Sequence, residues 1–276
     1  MALFFAVVSA LLFGCSDFLA ARSARTTPSV TVTRTAVTTS TLLSPLLLLV
    51  ADWQWIGDDV MLGALSGLFM ISGLMMLYRG YAVARMGIVA PLASLLVAAV
   101  PAVWDLVNGV TPSWLASVGI GVGLVALVLT SYTPGGTGSA NKGALLGVAS
   151  GSAFGVAFTL MGEVSERAGL LPVIAQRMAG LLLLAVIAVV RPEPLFAVRG
   201  VGGRYAVAAG VPAMAAVAAL QVAFQKGESG PIAVAASQFA TVAVVLSVLF
   251  NRERMRWWQA CGVMSTAAAV AMIAAG

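Results

Sequence analysis

Ten apolar stretches, five in each half, constrain this chain more than any other feature. They lie near 2–21, 28–50, 60–80, 86–107, 112–131, 143–163, 171–190, 204–226, 230–250 and 256–275. At roughly 17–25 residues each, they are long enough to cross a hydrocarbon core of about 30 Å as helices. Lipid offers the backbone no hydrogen bonds, so only helices or a closed barrel can span it. The period-two alternation of barrel strands is absent. Composition agrees: 61% of residues are apolar and only 9% charged, against about 25% charged in a soluble domain. The predicted fold class is therefore an all-α membrane protein of ten transmembrane helices.

The two halves are copies. Residues 1–133 slide onto 144–276 at an offset of 143, which sets Arg34 on Arg177, Gly87 on Gly230 and Ser94 on Ser237. The same register sets Asn108 on Asn251, Trp114 on Trp257 and Gly119 on Gly262, and Tyr81 meets Phe224. These are rarer residues in a background of Ala, Val and Leu, so their agreement marks a tandem duplication. We expect a first five-helix repeat over 1–133, a linker over 134–142 and a second repeat over 143–276. The linker is rich in Gly, Ser and Pro and suits a flexible joint. Five helices per repeat is an odd number, so the second repeat enters the bilayer from the opposite side. That makes two inverted five-helix repeats, an organisation tied to alternating access.

Lysine and arginine set the orientation. Loops after odd-numbered helices hold Arg22, Arg25, Arg79, Arg85, Lys142, Arg191, Arg199, Arg204, Arg252, Arg254 and Arg256, whereas loops after even-numbered helices hold Arg167 and Lys226. Eleven against two puts the first set in the cytoplasm and both termini outside. The expected location is a cell membrane (plasma or inner), crossed many times. The first stretch lacks a basic leader and reads as a retained helix. The net charge of +5 is spread over short loops, which speaks against nucleic acid as a partner. Cys15 and Cys261 read as buried apolar residues without a disulfide.

Several features together resemble the drug/metabolite transporter superfamily, EamA type. They are the five-plus-five helices, an arginine early in helices 2 and 7, and Trp114 with Gly119 and Trp257 with Gly262 entering helices 5 and 10. The opening Phe13-Gly14-Cys15-Ser16-Asp17-Phe18 is similar as well. The resemblance implies a secondary transporter, often an exporter, of small metabolites such as amino acids or of lipophilic drugs. It implies a central cavity lined mainly by helices 1, 3, 4, 6, 8 and 9. Ten-helix members of that family are usually drawn with cytoplasmic termini; the charge count places them outside, and we follow the count.

Ionisable groups inside helices are costly in lipid, at least about 2.5–3.5 kcal/mol each at the centre, and invite a functional reading. Arg34 and Arg177 sit about two turns into helices 2 and 7, at depths matched by Asp17 in helix 1 and Glu163 at the end of helix 6. Two readings of the pairs Asp17–Arg34 and Glu163–Arg177 stand: gates that form alternately, or fixed ion pairs that orient helices. Asp17 is also a candidate proton-coupling carboxylate, with Asp105 as its rival. The candidate cavity lining is Phe13, Asp17, Tyr78, Tyr81, Ser94, Trp104, Phe154, Phe158, Gln221, Gln225, Ser237 and Gln238, a set of apolar walls with a few hydrogen bonders. Trp104 and the tyrosines also fit an interfacial aromatic belt. Among these, Gln238 is the first choice, since an amide well inside helix 9 needs a partner and lipid offers none.

An enzyme is disfavoured. The chain has no histidine, which removes the commonest general base and metal ligand, and it carries no HExxH or GxSxG string. No cofactor or metal is expected. A scaffold would not need inverted halves. The sequence reads as a monomeric transporter of a small solute in the lipid bilayer, with protons as a candidate coupling ion. An amino-acid-like metabolite is the first substrate class and a lipophilic cation the alternative.

Overall fold

The computed structural model describes residues 1–107, 109, 113–131, 138–190, 194–227, 229–251 and 256–275. The linker positions 134–137, and Arg191, Arg252 and Arg254, fall outside that set, as does the side chain of Asp105. Helices account for nearly all of it. Span 1 is Ala2–Ala24, span 2 is Ser29–Leu43 with a 3-10 extension Ser44–Leu49, and span 3 is Gly57–Val83. Spans 4, 5, 6 and 7 are Met86–Val107, Trp114–Ser131, Gly138–Gly162 and Leu171–Val190. Span 8 is Gly200–Lys226, span 9 consists of Ser229–Ser237 and Phe239–Asn251 broken at Gln238, and span 10 is Trp257–Ala275. On the described residues alone, six of these are long and apolar enough to cross a membrane. Span 6 starts at Gly138, so the second half of the expected linker is its first turn.

Hydroxyls reveal how the halves are joined. Ser9, Ser16 and Ser23 donate to the carbonyls of Ala216, Ala209 and Gly202 at 2.8, 2.9 and 2.8 Å. Each step of seven up span 1, two helical turns on one face, is seven down span 8, so the two run antiparallel. The other half repeats the ladder between spans 6 and 3. Ser150 donates to the Gly73 carbonyl at 2.8 Å, Ser66 to the Ala157 carbonyl at 3.0 Å, and Ser165 to the Asp59 carboxylate. Gly73, Ser66 and Asp59 are the residues 143 before Ala216, Ala209 and Gly202. Spans 1 and 8 are thus related to spans 6 and 3 by a two-fold operation, and the repeats are inverted. Ser94 donates to the carbonyl of Ser237, its own counterpart at offset 143. Equivalent residues that touch lie on the pseudo-two-fold axis.

Helix contacts are close because small residues line them. A Cβ on Gly63 or Gly67 would overlap backbone of span 7 at Pro172 or Gln176, and one on Gly147, Gly151 or Gly155 would collide with span 4. Span 2 carries an unusual density of threonine. Thr33, Thr35, Thr39 and Thr41 return their hydroxyls to carbonyls four residues back, which satisfies these four in the bilayer, whereas the Thr38 hydroxyl is buried without a partner.

The register is not uniform. Gly67 abuts the Gln176 carbonyl, whereas its counterpart Gly210 abuts the Ala36 carbonyl, so span 2 maps onto span 7 at an offset of 140. By that geometry Arg177 shares its place with Val37, not with Arg34. Spans 1 and 6 pair at 141, from Ser9 to Ser150 and Ser16 to Ala157. Phe13 then matches Phe154, Gly14 matches Gly155, and Asp17 matches Phe158.

Candidate functional site

A narrow cavity lies between the halves. Span 1 contributes Phe13, Ser16 and Asp17, span 2 Ala36, Val37 and Ser40, and span 3 Met70, Leu74 and Tyr78. The second half adds Phe154 and Phe158 from span 6, Arg177 from span 7, Ala213 from span 8 and Phe239 from span 9. Spans 2 and 7 stand where span 4 was expected. Met70, Leu74 and Tyr78 lie on successive turns, so the cavity runs about 12 Å along span 3. Its walls are mainly aromatic and aliphatic, with one acid and one guanidinium.

The polar end is built from spans 1 and 3. Tyr81 donates its hydroxyl to the Asp17 carboxylate at 3.4 Å, and the Tyr78 ring stacks on Tyr81 with centroids 6.3 Å apart. Tyr81 also faces a depression lined by Arg25, Arg85, Arg256 and Gln259. That surface carries arginines from the loops after spans 1, 3 and 9. The Asp17–Tyr81 contact therefore stands between the basic face and the inner cavity.

The two-fold operation carries this contact onto an aromatic one. Asp17 goes to Phe158 and Tyr81 to Phe224, whose rings meet edge to face at 6.0 Å. One end of the cavity is closed by a carboxylate and a phenol, the other by two hydrocarbon rings.

The two arginines part company. Arg177 is 3% exposed, lines the cavity, and its Nε and Nη2 make no hydrogen bond. Arg34 also leaves Nε and Nη2 without a partner, but it lies off the cavity and donates Nη1 to the carbonyls of Pro194 and Leu195 at 3.3 and 3.4 Å. Thr31 binds the same Pro194 carbonyl, and Thr35 accepts from the Ala197 amide, so Arg34 belongs to a clamp holding the loop before span 8.

Neither expected ion pair forms. Asp17 is held by Tyr81 and Arg34 by the loop, while Glu163 lies exposed just beyond the end of span 6, away from buried Arg177. Equal depth along neighbouring helices did not fix which way the side chains turn. Of the proposed lining, Phe13, Asp17, Tyr78, Phe154 and Phe158 reach the cavity, and Tyr81 braces it. The others do not. Trp104 is 48% exposed on the lipid side, and Gln225 donates to the carbonyl of Gly169 at 2.7 Å. Ser94 and Ser237 bond backbone at the pseudo-axis, and Gln238 accepts from Thr241 in a small pocket among spans 4, 9 and 10. Gln221 is buried off the cavity, with neither amide atom partnered.

Sequence reading missed Ser16, Ser40, Met70 and Leu74, whose types carry no signal in an apolar chain, and also the aromatic Phe239. It also missed Asp59, which is buried and accepts from both the amide and hydroxyl of Ser165. Cys15 and Cys261 are exposed on the helix exterior, not buried.

Comparison with known proteins agrees with this architecture. Residues 141–275 match the model of the EamA-like transporter family, which spans the second repeat. A solved structure, titled only as a crystal structure of a protein, superposes with a TM-score of 0.72 at 18% identity, covering 98% of this chain and 95% of that one. No curated protein matches. The second half of the chain is thus similar to the EamA-like transporter family, and its whole length shares the fold of that solved structure.

Proposed function

We propose that the protein is a secondary transporter, an exporter of small amino-acid-like metabolites, working by alternating access. The observation that carries this reading is the cavity between the inverted halves, which holds Asp17 and Arg177 among aromatic walls. A guanidinium with unpartnered N–H groups suits a carboxylate, and Asp17 beside two tyrosines suits an ammonium. Four phenylalanines, Phe13, Phe154, Phe158 and Phe239, offer apolar walls to a hydrophobic side chain. A zwitterion with a hydrophobic tail satisfies all three.

The two repeats, 1–133 and 143–276, rock against each other about the Ser94–Ser237 contact. In one state the Asp17–Tyr81 contact parts, and in the other Phe158–Phe224 parts. Loading from the basic face, cytoplasmic by the lysine and arginine count, gives export. Protonation of Asp17 would remove the charge that Tyr81 binds, which makes a proton a natural coupling ion. The protein acts as a monomer in a plasma or inner membrane and catalyses no covalent step.

A lipophilic cation is the second reading, favoured by the phenylalanine walls around Asp17. Arg177 in the same cavity repels such a solute, and for that reason we rank it lower. Purified protein in proteoliposomes should accumulate or release neutral amino acids along an imposed gradient. Melting against a panel of amino acids and quaternary cations separates the two classes. Stabilisation by cations alone would overturn the first reading.

A further inference from the structure

The cavity is lopsided. Span 3 lines it on three successive turns with Met70, Leu74 and Tyr78, but span 8 contributes only Ala213, the counterpart of Met70 at offset 143. The counterparts of Leu74 and Tyr78 are Val217 and Gln221, which are 2% and 1% exposed and off the cavity. The space has thus been opened along span 3 and closed along span 8. Gln221 pays for that closure, because both its amide nitrogen and its amide oxygen are buried without a hydrogen-bond partner. Unpartnered buried amides are rare in folded proteins and call for an explanation.

We propose that Gln221 is a solute-facing residue of the opposite conformation, taking the place on the cavity wall that Tyr78 holds in this one. In an inverted repeat, exchange of the two halves' conformations moves each residue into its counterpart's surroundings. Val217 and Gln221 then line the cavity while Leu74 and Tyr78 withdraw from it. The amide that lacks a partner here gains solute or water there, which favours the opposite state. The two states differ chemically, since a phenol beside a carboxylate is exchanged for a carboxamide between phenylalanines. Solute is therefore held by a charged polar end in one state and by a neutral one in the other, so affinity differs across the cycle. This rests on the alternating-access reading above.

Sided thiol labelling tests it on the full chain. With Cys15→Ser and Cys261→Ser as background, Tyr78→Cys, Gln221→Cys and Phe224→Cys are treated with a membrane-impermeant methanethiosulfonate on right-side-out and inside-out vesicles. Tyr78→Cys should react from the face bearing Arg25, Arg85 and Arg256 when the Asp17–Tyr81 contact parts, and Gln221→Cys from the other when Phe158–Phe224 parts. The Gln221→Cys rate should be about 0.1–10% of that of a freely exposed thiol, reflecting a minor state. A Gln221→Cys that stays silent while Phe224→Cys reacts from the far face would overturn the proposal and leave alternating access intact. Silence of both, or reaction of Gln221→Cys from the same face as Tyr78→Cys, would overturn both. Should the cysteine variant fail to fold, Gln221→Leu decides. It should melt higher than wild type and exchange solute more slowly, since it removes the amide that this state cannot satisfy. A lower melting temperature would overturn the proposal, because the amide would then have a partner in the resting state.

Discussion

Arg177→Met separates a guanidinium kept for solute from one kept for structure. Two of its nitrogens are buried with no hydrogen bond. Leaving a buried donor unsatisfied costs about 1–3 kcal/mol, more when the group is charged. Two such donors imply about 2–6 kcal/mol of strain relieved by their removal, and methionine keeps most of the side-chain volume at the cavity wall. We expect the empty protein to gain at least about 2 kcal/mol, which corresponds to roughly 4–8 °C in melting temperature on soluble-domain scaling. Solute flux should fall to background in the same variant. Arg177→Lys keeps charge but not the planar fork, and should recover little flux. The assay is a detergent melt alongside proteoliposome exchange. A drop in melting temperature for Arg177→Met would refute the assignment, because it would show that the guanidinium holds the helices together.

Other expectations follow from the same geometry. Arg34 also buries Nε and Nη2 without partners, so Arg34→Met should raise the melt less than Arg177→Met, by the about 1–3 kcal/mol that its charge-assisted bonds to the Pro194 and Leu195 carbonyls contribute. Gly151→Ala should destabilise by about 1–3 kcal/mol, since its Cβ would strike the Ala93 carbonyl and neither backbone can yield. Gly121→Ala, with open space at its Cβ, should change the melt by no more than about 0.5 kcal/mol. Asp17→Asn should flatten the pH dependence of flux; transport that keeps its pH profile would exclude Asp17, which faces Tyr78, Tyr81 and, across the cavity, Arg177, as the coupling acid. A reporter fused after Gly276 should read as extracytoplasmic, and a cytoplasmic signal would reverse the orientation.

The fold was legible because lipid leaves a chain few choices. Apolar length gave the spans, and the rare residues Arg34, Ser94, Trp114 and their counterparts exposed the duplication. The odd number of spans per half gave the inversion. The site was legible only in part. Phe13, Asp17, Tyr78, Phe154 and Phe158 were found because aromatic and charged residues stand out in an apolar helix. Their neighbours Met70 and Leu74 do not. The single offset of 143 also misled. Helix packing shifts the register to 141 between spans 1 and 6 and to 140 between spans 2 and 7, so the matched arginines of the alignment occupy unmatched places. Arg34 went to a loop and Arg177 to the cavity. One-dimensional alignment cannot report a shift of less than one turn, yet that shift decides which way a side chain points.

The central claim, two gates that open in turn, is tested most directly by locking each with a crosslink. In the background lacking Cys15 and Cys261, Asp17→Cys with Tyr81→Cys pins the polar end, and Phe158→Cys with Phe224→Cys pins the aromatic end. Each oxidised pair should abolish flux and leave the cavity reachable by an impermeant thiol reagent, through Ser40→Cys, from the unlocked face alone. Reduction should restore exchange in the Phe158–Phe224 pair, which leaves Asp17 in place. Flux that survives either crosslink, or a cavity thiol that reacts from the locked face, would contradict alternating access through these two contacts.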